Sequence, residues 1–407
     1  MKPSITSTLG VLSLSVTSVH AITIDGTRDA EYGSAVAVQT VQTGFGNATS
    51  PTGIGSGGEL DAAYAVIDGS RLYVMITGNI ENNFNKLSLF IDSKTGGENT
   101  LSSAPQYDFE HISQNFGELT FDSGFNADYH LYARWGAFSG NNFTVDIVDR
   151  NGGASSIVSG NGATSLSGGG TAIQTGTINP GDLGLGSTGV GEVRNLAPFL
   201  TVPIDFGFNN TNIAGVGGSA GSAANQAAAL AVTTGFEFSI ALADLGNPGP
   251  GDEIKVHAVY GSSNNNFHSN QTLAGLPVGT GNLGSNGSGS GLGNLSGVDF
   301  NNFAGDQFFS INVPNNLQGD LDGDGFVGID DLNIVLGNWN QNVPPANPLA
   351  DPSGDGFVGI HDLGTVLGNW NAGTPPTADV VPEPTALVVF SLFGVGCLLR
   401  RSSHSQT

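Results

Sequence analysis

Two stretches of this 407-residue chain are near copies of each other, 31 residues apart. One runs Asp320-Leu321-Asp322-Gly323-Asp324-Gly325-Phe326-Val327-Gly328-Ile329-Asp330-Asp331-Leu332. The other runs Asp351-Pro352-Ser353-Gly354-Asp355-Gly356-Phe357-Val358-Gly359-Ile360-His361-Asp362-Leu363, and both continue into Val-Leu-Gly-Asn-Trp-Asn. Few folds suit such a pattern. A hard cation takes six to eight oxygens, and a compact loop supplies them from alternate positions, with a glycine at position 6 for the sharp turn. The candidate ligands are Asp320, Asp322, Asp324, the Phe326 carbonyl and Asp331 in the first loop. In the second they are Asp351, Ser353, Asp355, the Phe357 carbonyl and Asp362. Position 9 is Gly328 or Gly359, so a ligand there must be water. The implied cofactor is Ca2+.

After each loop the apolar residues recur at helical spacing: Ile329, Leu332, Leu336 and Trp339, then Ile360, Leu363, Leu367 and Trp370. Each loop therefore opens one short amphipathic helix, and the pattern predicts that Leu336, Trp339, Leu367 and Trp370 bury against one another. Residues 318–373 carry eight acids and no lysine or arginine. Loop one offers four carboxylates and loop two three, with Ser353 neutral, so loop one should bind calcium more tightly. His361 reads as a solvated residue at a helix start. A duplicated loop–helix unit with Asp at position 12 and no preceding helix resembles a type I dockerin over residues 318–373. The resemblance implies calcium binding and a cohesin-like partner. The pairs that help choose that partner are Ile329-Asp330 and Ile360-His361 here, where dockerins carry small hydroxyl residues.

Both ends carry the marks of processing signals. Lys2, the apolar stretch Leu9 to Val16 and the small-x-small site Val19-His20-Ala21 make residues 1–21 a signal peptide for signal peptidase. At the other end, linker 374–384 closes with Pro382-Glu383-Pro384, and the apolar segment 385–401 ends in Arg400-Arg401. Its run from Ala386 to Leu399 is shorter than the roughly 20 residues of a comfortable span, and the arginine pair favours the cytoplasmic side. This tail resembles the PEP-CTERM sorting signal, and the whole chain resembles PEP-CTERM secreted proteins of planctomycete-like bacteria. The resemblance implies export through the inner membrane and transient anchoring by the C-terminal transmembrane segment. An exosortase would then cut the anchor and release the chain to the cell envelope or extracellular matrix.

Between these ends, residues 22–313 read as an antiparallel β-sandwich, so the chain as a whole is mainly β with a small α calcium module. Strand signals stand at 62–67, 71–76, 86–91, 129–135, 143–148, 236–240, 254–260 and 307–313, with a further strand expected at Ile22–Asp25. Asp68-Gly69 marks a hairpin turn. Residues 151–230 and 279–297 are rich in Gly, Ser and Ala and read as long loops, with a turn or two of helix at 222–232. The phrases Ile24-Asp25-Gly26-Thr27-Arg28-Asp29, Leu72-Tyr73-Val74, Leu89-Phe90-Ile91-Asp92 and Thr234 to Ile240 are similar to the family 9 carbohydrate-binding sandwich and its DOMON-like relatives. That family grips sugar ends with paired tryptophans, and this domain has Trp135 alone.

Composition narrows the function. Eleven Lys+Arg against 35 Asp+Glu give −24, which excludes the basic footprint of a nucleic-acid binder. The single cysteine, Cys397, leaves no disulfide framework. Asp108, Glu110 and His111, and Asp128 with His130, are the acid–base candidates, because two convergent carboxylates could hydrolyse a glycoside. Acids on strand faces mostly solvate, and no catalytic residue is assigned. His257 in its alternating strand and His268 in the polar loop Asn264 to Asn270 read as residues that hold loops by hydrogen bonds. Gly184 to Gly189 and Gly217 to Gly221 match glycine-rich motifs, but neither follows a buried parallel strand. Three functions fit. The first is a non-enzymatic exported protein that binds polysaccharide and carries a calcium-dependent module. The others are a dockerin-bearing glycoside hydrolase and a structural matrix protein.

Overall fold

The computed structural model describes residues 21–50, 57–103, 115–137, 141–150, 159–166, 173–180, 200–291, 293–314, 317–373 and 375. Apart from Ala21 and Pro375, the expected signal peptide, linker and sorting segment lie outside the described residues, as do Asp108, Glu110, His111 and Gly184 to Gly189. Among the described residues no helix is long and apolar enough to cross a membrane. The chain divides into two compact units, Met1–Pro314 and Asn315–Thr407.

The first unit is two antiparallel sheets. Its strands are β1 (Ala37–Val38), β2 (Glu59–Asp68), β3 (Arg71–Asn79), β4 (Lys86–Asp92), β5 (Tyr129–Ala137), β6 (Asn141–Asp149) and β7 (Ser159–Leu166). Then follow β8 (Ile173–Ile178), β9 (Ile204–Asn209), helix α1 (Gln226–Ala231), β10 (Gly235–Ala241), β11 (Glu253–Gly261), β12 (His268–Leu273) and β13 (Phe309–Asn312). One sheet runs β1-β2-β3-β10-β9-β8; the other runs β12-β11-β4-β5-β6-β7, with β13 also on β11. The β2–β3 hairpin closes on the pair Asp68–Arg71, around the Gly69 turn.

Seven of the eight interior strand signals fall within strands, and the eighth, 307–313, is longer than the strand it holds, Phe309–Asn312. The 151–230 stretch does not stay a loop, because β7, β8 and β9 lie in it. Main-chain pairing needs no side-chain pattern, so a strand such as Ser159–Leu166 leaves no trace in hydropathy. Ile22–Asp25 is not a strand. Its main chain is held by a carboxylate instead: Glu237 Oε2 accepts the N–H groups of Asp25 (3.0 Å) and Gly26 (2.9 Å). Glu237 Oε1 accepts the Tyr32 hydroxyl at 2.8 Å.

Alternation explains how the sheets meet. Leu72, Val74 and Ile76 of β3 and Phe236, Phe238 and Ile240 of β10 point into one core with Leu87, Leu89 and Ile91 of β4 and Val145 and Ile147 of β6. Phe143 of one sheet stacks on Phe208 of the other, centroids 4.4 Å apart and planes 5° off parallel. Trp135 packs edge-on against Phe208 and is 1% exposed, so the lone tryptophan of this unit is core. At one open side, amides bridge the sheets where no ladder can. Gln39 Nε2 donates to Leu60 O and Thr272 O, and Gln271 Oε1 accepts Leu60 N–H.

A second core covers the outer face of the β4–β5–β11 sheet. The connections carrying Phe116, Phe121, Phe125, Leu283, Leu295 and Phe300 pack on Phe90 and Val259. Three histidines are sealed inside it. His257 and His130 flank Phe90 in register, and His130 stacks on that ring at 4.2 Å. His257 Nδ1 meets Gln307 O at 2.7 Å and so does hold a loop. His268 lies at the start of β12, not in a polar loop, and its ring sits edge-on to Phe116 with no hydrogen-bond partner among the described residues. Burial holds all three neutral: His257 is pushed down to about 4 and His268 to about 3, and His130 lies well below the imidazole range.

The unfolded chain therefore takes up protons near pH 6.5 that the folded chain refuses. The histidine contribution is complete above that pH and is lost as pH falls toward the folded values. We expect wild type to lose about 2 kcal/mol more than His268→Phe between pH 7 and pH 5, measured by urea unfolding at each pH. Equal losses would place His268 in a solvated site.

Candidate functional site

The second unit is built on the repeat. Helix α2 (Ile329–Gly337) follows the first loop and α3 (Ile360–Gly368) the second. The glycines at position 6 sit at φ +88° (Gly325) and +83° (Gly356), the left-handed turn the loop needs. Carboxylates gather around each turn. Ligand oxygens of Asp320, Asp322 and Asp324 lie within 4.8 Å of one another, as do those of Asp351, Asp355 and Asp362.

Each loop is also held by its own amides. Asp320 accepts Gly323 N–H (2.8 Å) and Gly325 N–H (2.9 Å), and Asp351 accepts Asp355 N–H (3.2 Å) and Gly356 N–H (2.8 Å). Asp324 accepts Phe326 N–H, and Asp355 accepts Phe357 N–H. Ser353 Oγ donates to Asp351 at 3.1 Å. Asp331 stands outside the first cluster: it accepts the N–H groups of Leu321, Asp322 and Gly328. Asp362 likewise accepts from Ser353 and Gly359, yet belongs to the second cluster. Position 12 thus does a helix-capping job, its carboxylate reaching back to the N–H before the helix. His361 is exposed, its Nδ1 3.4 Å from Asp355.

Electrostatics follow from the crowding. Burial, and then the charges of Asp331, Asp324 and Asp320, raise the Asp322 carboxyl above its ordinary range against the Asp324 N–H bond. Burial raises Asp362 too, but the hydrogen bonds from Gly359 and Ser353 outweigh it and bring that carboxyl below its ordinary range. A multivalent cation would relieve the repulsion in either loop.

The helices pack differently from the expected way. Leu336 and Trp339 are 51% and 40% exposed, and Leu367 and Trp370 are 51% and 39% exposed. The core is instead Val327, Val335, Val358 and Val366 with Leu321, Ala346 and Ala350. Asp331 and Asp362 must face inward to hold their loops. The residue one turn later, Val335 or Val366, then faces inward as well, and Ile329 and Leu336 turn out. The two repeats are also crossed. Phe326 bridges Gly373, beyond the second helix, and Phe357 bridges Asn342, beyond the first. Val327 N–H donates to Ala372 O and Val358 N–H to Gln341 O, both at 2.9 Å.

In the first unit, Asp128 and His130 do not make an acid–base site. Asp128 accepts Ser93 N–H (2.8 Å) and Lys94 N–H (3.0 Å), and burial pushes it up to about 6. His130 is inside the aromatic core. Ser219 lies in an exposed turn with no strand leading into it. The sequence reading missed a groove of about 500 Å³ on the outer face of the β3–β10–β9–β8 sheet, lined by Arg71, Tyr73, Ser239, Asp205, Thr175 and Thr177 with Ile22 and Ile24 beside them. Ser239 stands between Tyr73 and Asp205 in register, and Thr177 faces Asp205. Arg71 donates to Ser239 O (2.8 Å) and Pro203 O (2.9 Å) and lies 3.8 Å from Asp205. These residues come from four strands spread along the chain from Arg71 to Ser239, so only outward polar positions on alternating strands signal them.

Compared with protein-family models, curated proteins and solved structures, this chain matches none.

The crossed pairing makes Gly373 critical. Its φ is +91°, and a Cβ there would lie 2.1 Å from Gly325 O. Gly354, at φ +70°, has open space around it. Gly373→Ala should cost about 2 kcal/mol more than Gly354→Ala, read from urea unfolding of the repeat unit. Equal costs would mean that the tail does not hold the first loop.

Proposed function

We propose that this chain is an exported, non-enzymatic protein of the cell envelope or extracellular matrix, with a dockerin-like module that folds around calcium and a β-sandwich that binds polysaccharide. The observation that carries the reading is the gathering of three carboxylates in each of two repeated loops that have no lysine or arginine near them in sequence. Signal peptidase and an exosortase process the ends, with the C-terminal segment as a transient membrane anchor. Calcium is held by Asp320, Asp322 and Asp324, with the Phe326 carbonyl and Asp331 completing the first shell. Asp351, Ser353, Asp355, the Phe357 carbonyl and Asp362 hold the second. The outward apolar residues Ile329, Leu336, Trp339, Ile360, Leu367 and Trp370 support docking to a cohesin-like module.

Helices of nine residues are marginal alone, so metal binding supplies folding energy. The isolated fragment 318–373 should be helical in millimolar calcium and lose that helicity in chelator, by circular dichroism. Asp320→Ala with Asp324→Ala should weaken binding more than Asp351→Ala with Asp355→Ala. A fragment equally helical in both media would refute calcium-driven folding.

The groove supports the polysaccharide reading. Its hydroxyls, the Arg71–Asp205 pair and the Tyr73 ring offer the donors, acceptors and apolar face that a sugar needs. Asp205 is the one carboxylate among its described lining residues, which favours binding over two-carboxylate hydrolysis. On a glycan array, the exported chain should bind an oligosaccharide, and Asp205→Ala or Tyr73→Ala should weaken that binding at least about tenfold, the effect of losing one good polar or stacking contact. Unchanged binding by both variants would move the site elsewhere.

A further inference from the structure

The open ends of the β2–β3 hairpin, opposite its turn, hold a second concentration of oxygen, in the other unit and without a glycine-rich loop. Glu59 and Asn79 face each other in register, and a bulge between Leu60 and Ala62 makes Asp61 the extra residue. Glu59, Asp61 and Asn79 are all sealed from solvent, at 1%, 0% and 1% exposure. One loop, residues 210–216, lies over the group. Asn79 Nδ2 donates to Asn210 Oδ1 (3.1 Å) and Asn212 O (2.7 Å). Val216 N–H donates to Asp61 Oδ1 at 2.9 Å. Gly215 packs so closely that a Cβ there would lie 2.2 Å from Asp61 Oδ1.

The hydrogen bonds stop halfway. Glu59 accepts the Ala48 N–H and Asp61 accepts the Val216 N–H, yet among the described residues Glu59 Oε2 and Asp61 Oδ2 have no partner. Asn79 spends its donors on the loop, which leaves Asn79 Oδ1 buried without a donor as well. Among the described residues no basic side chain acts on either acid; the charge that acts on Asp61 is that of Glu59, which raises it further above the carboxylate range that burial has already pushed it out of. Two adjacent buried carboxylates without a counter-charge are costly, and so is each orphaned acceptor. Three such oxygens, two from acids and one from an amide, are a donor set for a hard cation. Calcium accepts irregular all-oxygen shells completed by carbonyls or water, whereas magnesium sheds its water reluctantly and suits a dry site poorly.

We propose that Glu59, Asp61 and Asn79 form a structural calcium site that pins the 210–216 loop to the β2–β3 ends. The site is independent of the repeat loops, and its test removes them. In the full chain, Asp320→Ala, Asp324→Ala, Asp351→Ala and Asp355→Ala disable both loops. After exhaustive chelation, added CaCl2 should still bind at one equivalent by calorimetry. With Trp339→Phe and Trp370→Phe added so that Trp135 alone fluoresces, the first unit should unfold about 5–10 °C lower in chelator than in excess calcium. Adding Glu59→Gln with Asp61→Asn should abolish the equivalent and the calcium-dependent shift. In chelator this variant should unfold no lower than its background, because it removes uncompensated buried charge; a purely structural role for the two acids would make it unfold lower in both media. Asn79→Ala should weaken the remaining binding. Absence of calcium binding in the loop-disabled chain, or its persistence after the Glu59 and Asp61 changes, would overturn the site whatever the repeat loops prove to do.

Discussion

Thirty-five acidic side chains share this chain with eleven lysines and arginines, so most carboxylates cannot be neutralised by a salt bridge. The fold answers with main-chain amides. Glu237 receives the amides of Asp25 and Gly26, Asp128 those of Ser93 and Lys94, Asp122 that of Gln307, and Asp244 that of Thr201. In each case a carboxylate ties down a segment distant in sequence, and a charge-assisted hydrogen bond is stronger than a neutral one. Two of the ion pairs among the described residues join separate segments: Arg150 meets Glu98 at 2.6 Å, and Arg71 spans β3 to β9. Around Asp320, Asp322 and Asp324 the carboxylates crowd within 4.8 Å of one another even so, and Glu59 and Asp61 each keep a buried oxygen without a partner among the described residues.

Much of the two-sheet core was legible because burial on one face imposes a period of two. Leu72, Val74 and Ile76, or Val145 and Ile147, announce their strands without help. The edge strands were not legible, since β7 and β8 are defined by backbone pairing and carry Gly, Ser and Thr. Nor was the second core. Phe116, Phe121 and Phe300 come from connections with no period, and they find Phe90 only because the sheet sets it between His130 and His257. His268 was misread for the same reason: Asn, Ser and Phe around it look like a loop, and its partner Phe116 lies far away in sequence.

The repeat unit shows the opposite balance. Its loops and helices could be placed from spacing alone, because each position answers a local demand of the turn. Which helix face is buried could not. The apolar stripe of Ile329, Leu336 and Trp339 is longer than that of Leu332 and Val335, and hydrophobicity favours it. The inward pull of Asp331 on its loop amides decides the matter, and the longer stripe faces solvent. The groove was hidden at the opposite extreme, where Arg71 and Asp205 meet only after β3, β10 and β9 are laid side by side.

The crossed pairing of the repeats has a mechanical meaning. Gly373 and Ala372 pair with the first loop, although they follow the second helix in sequence. Tension applied to whatever follows residue 373 falls first on Val327, Phe326 and the acidic turn beside them. It reaches the second loop only through the helix between. Pulling from that end therefore shears the first loop while the second is still intact, and the unit behaves as a clasp whose strength is set by how firmly one turn of acids is closed.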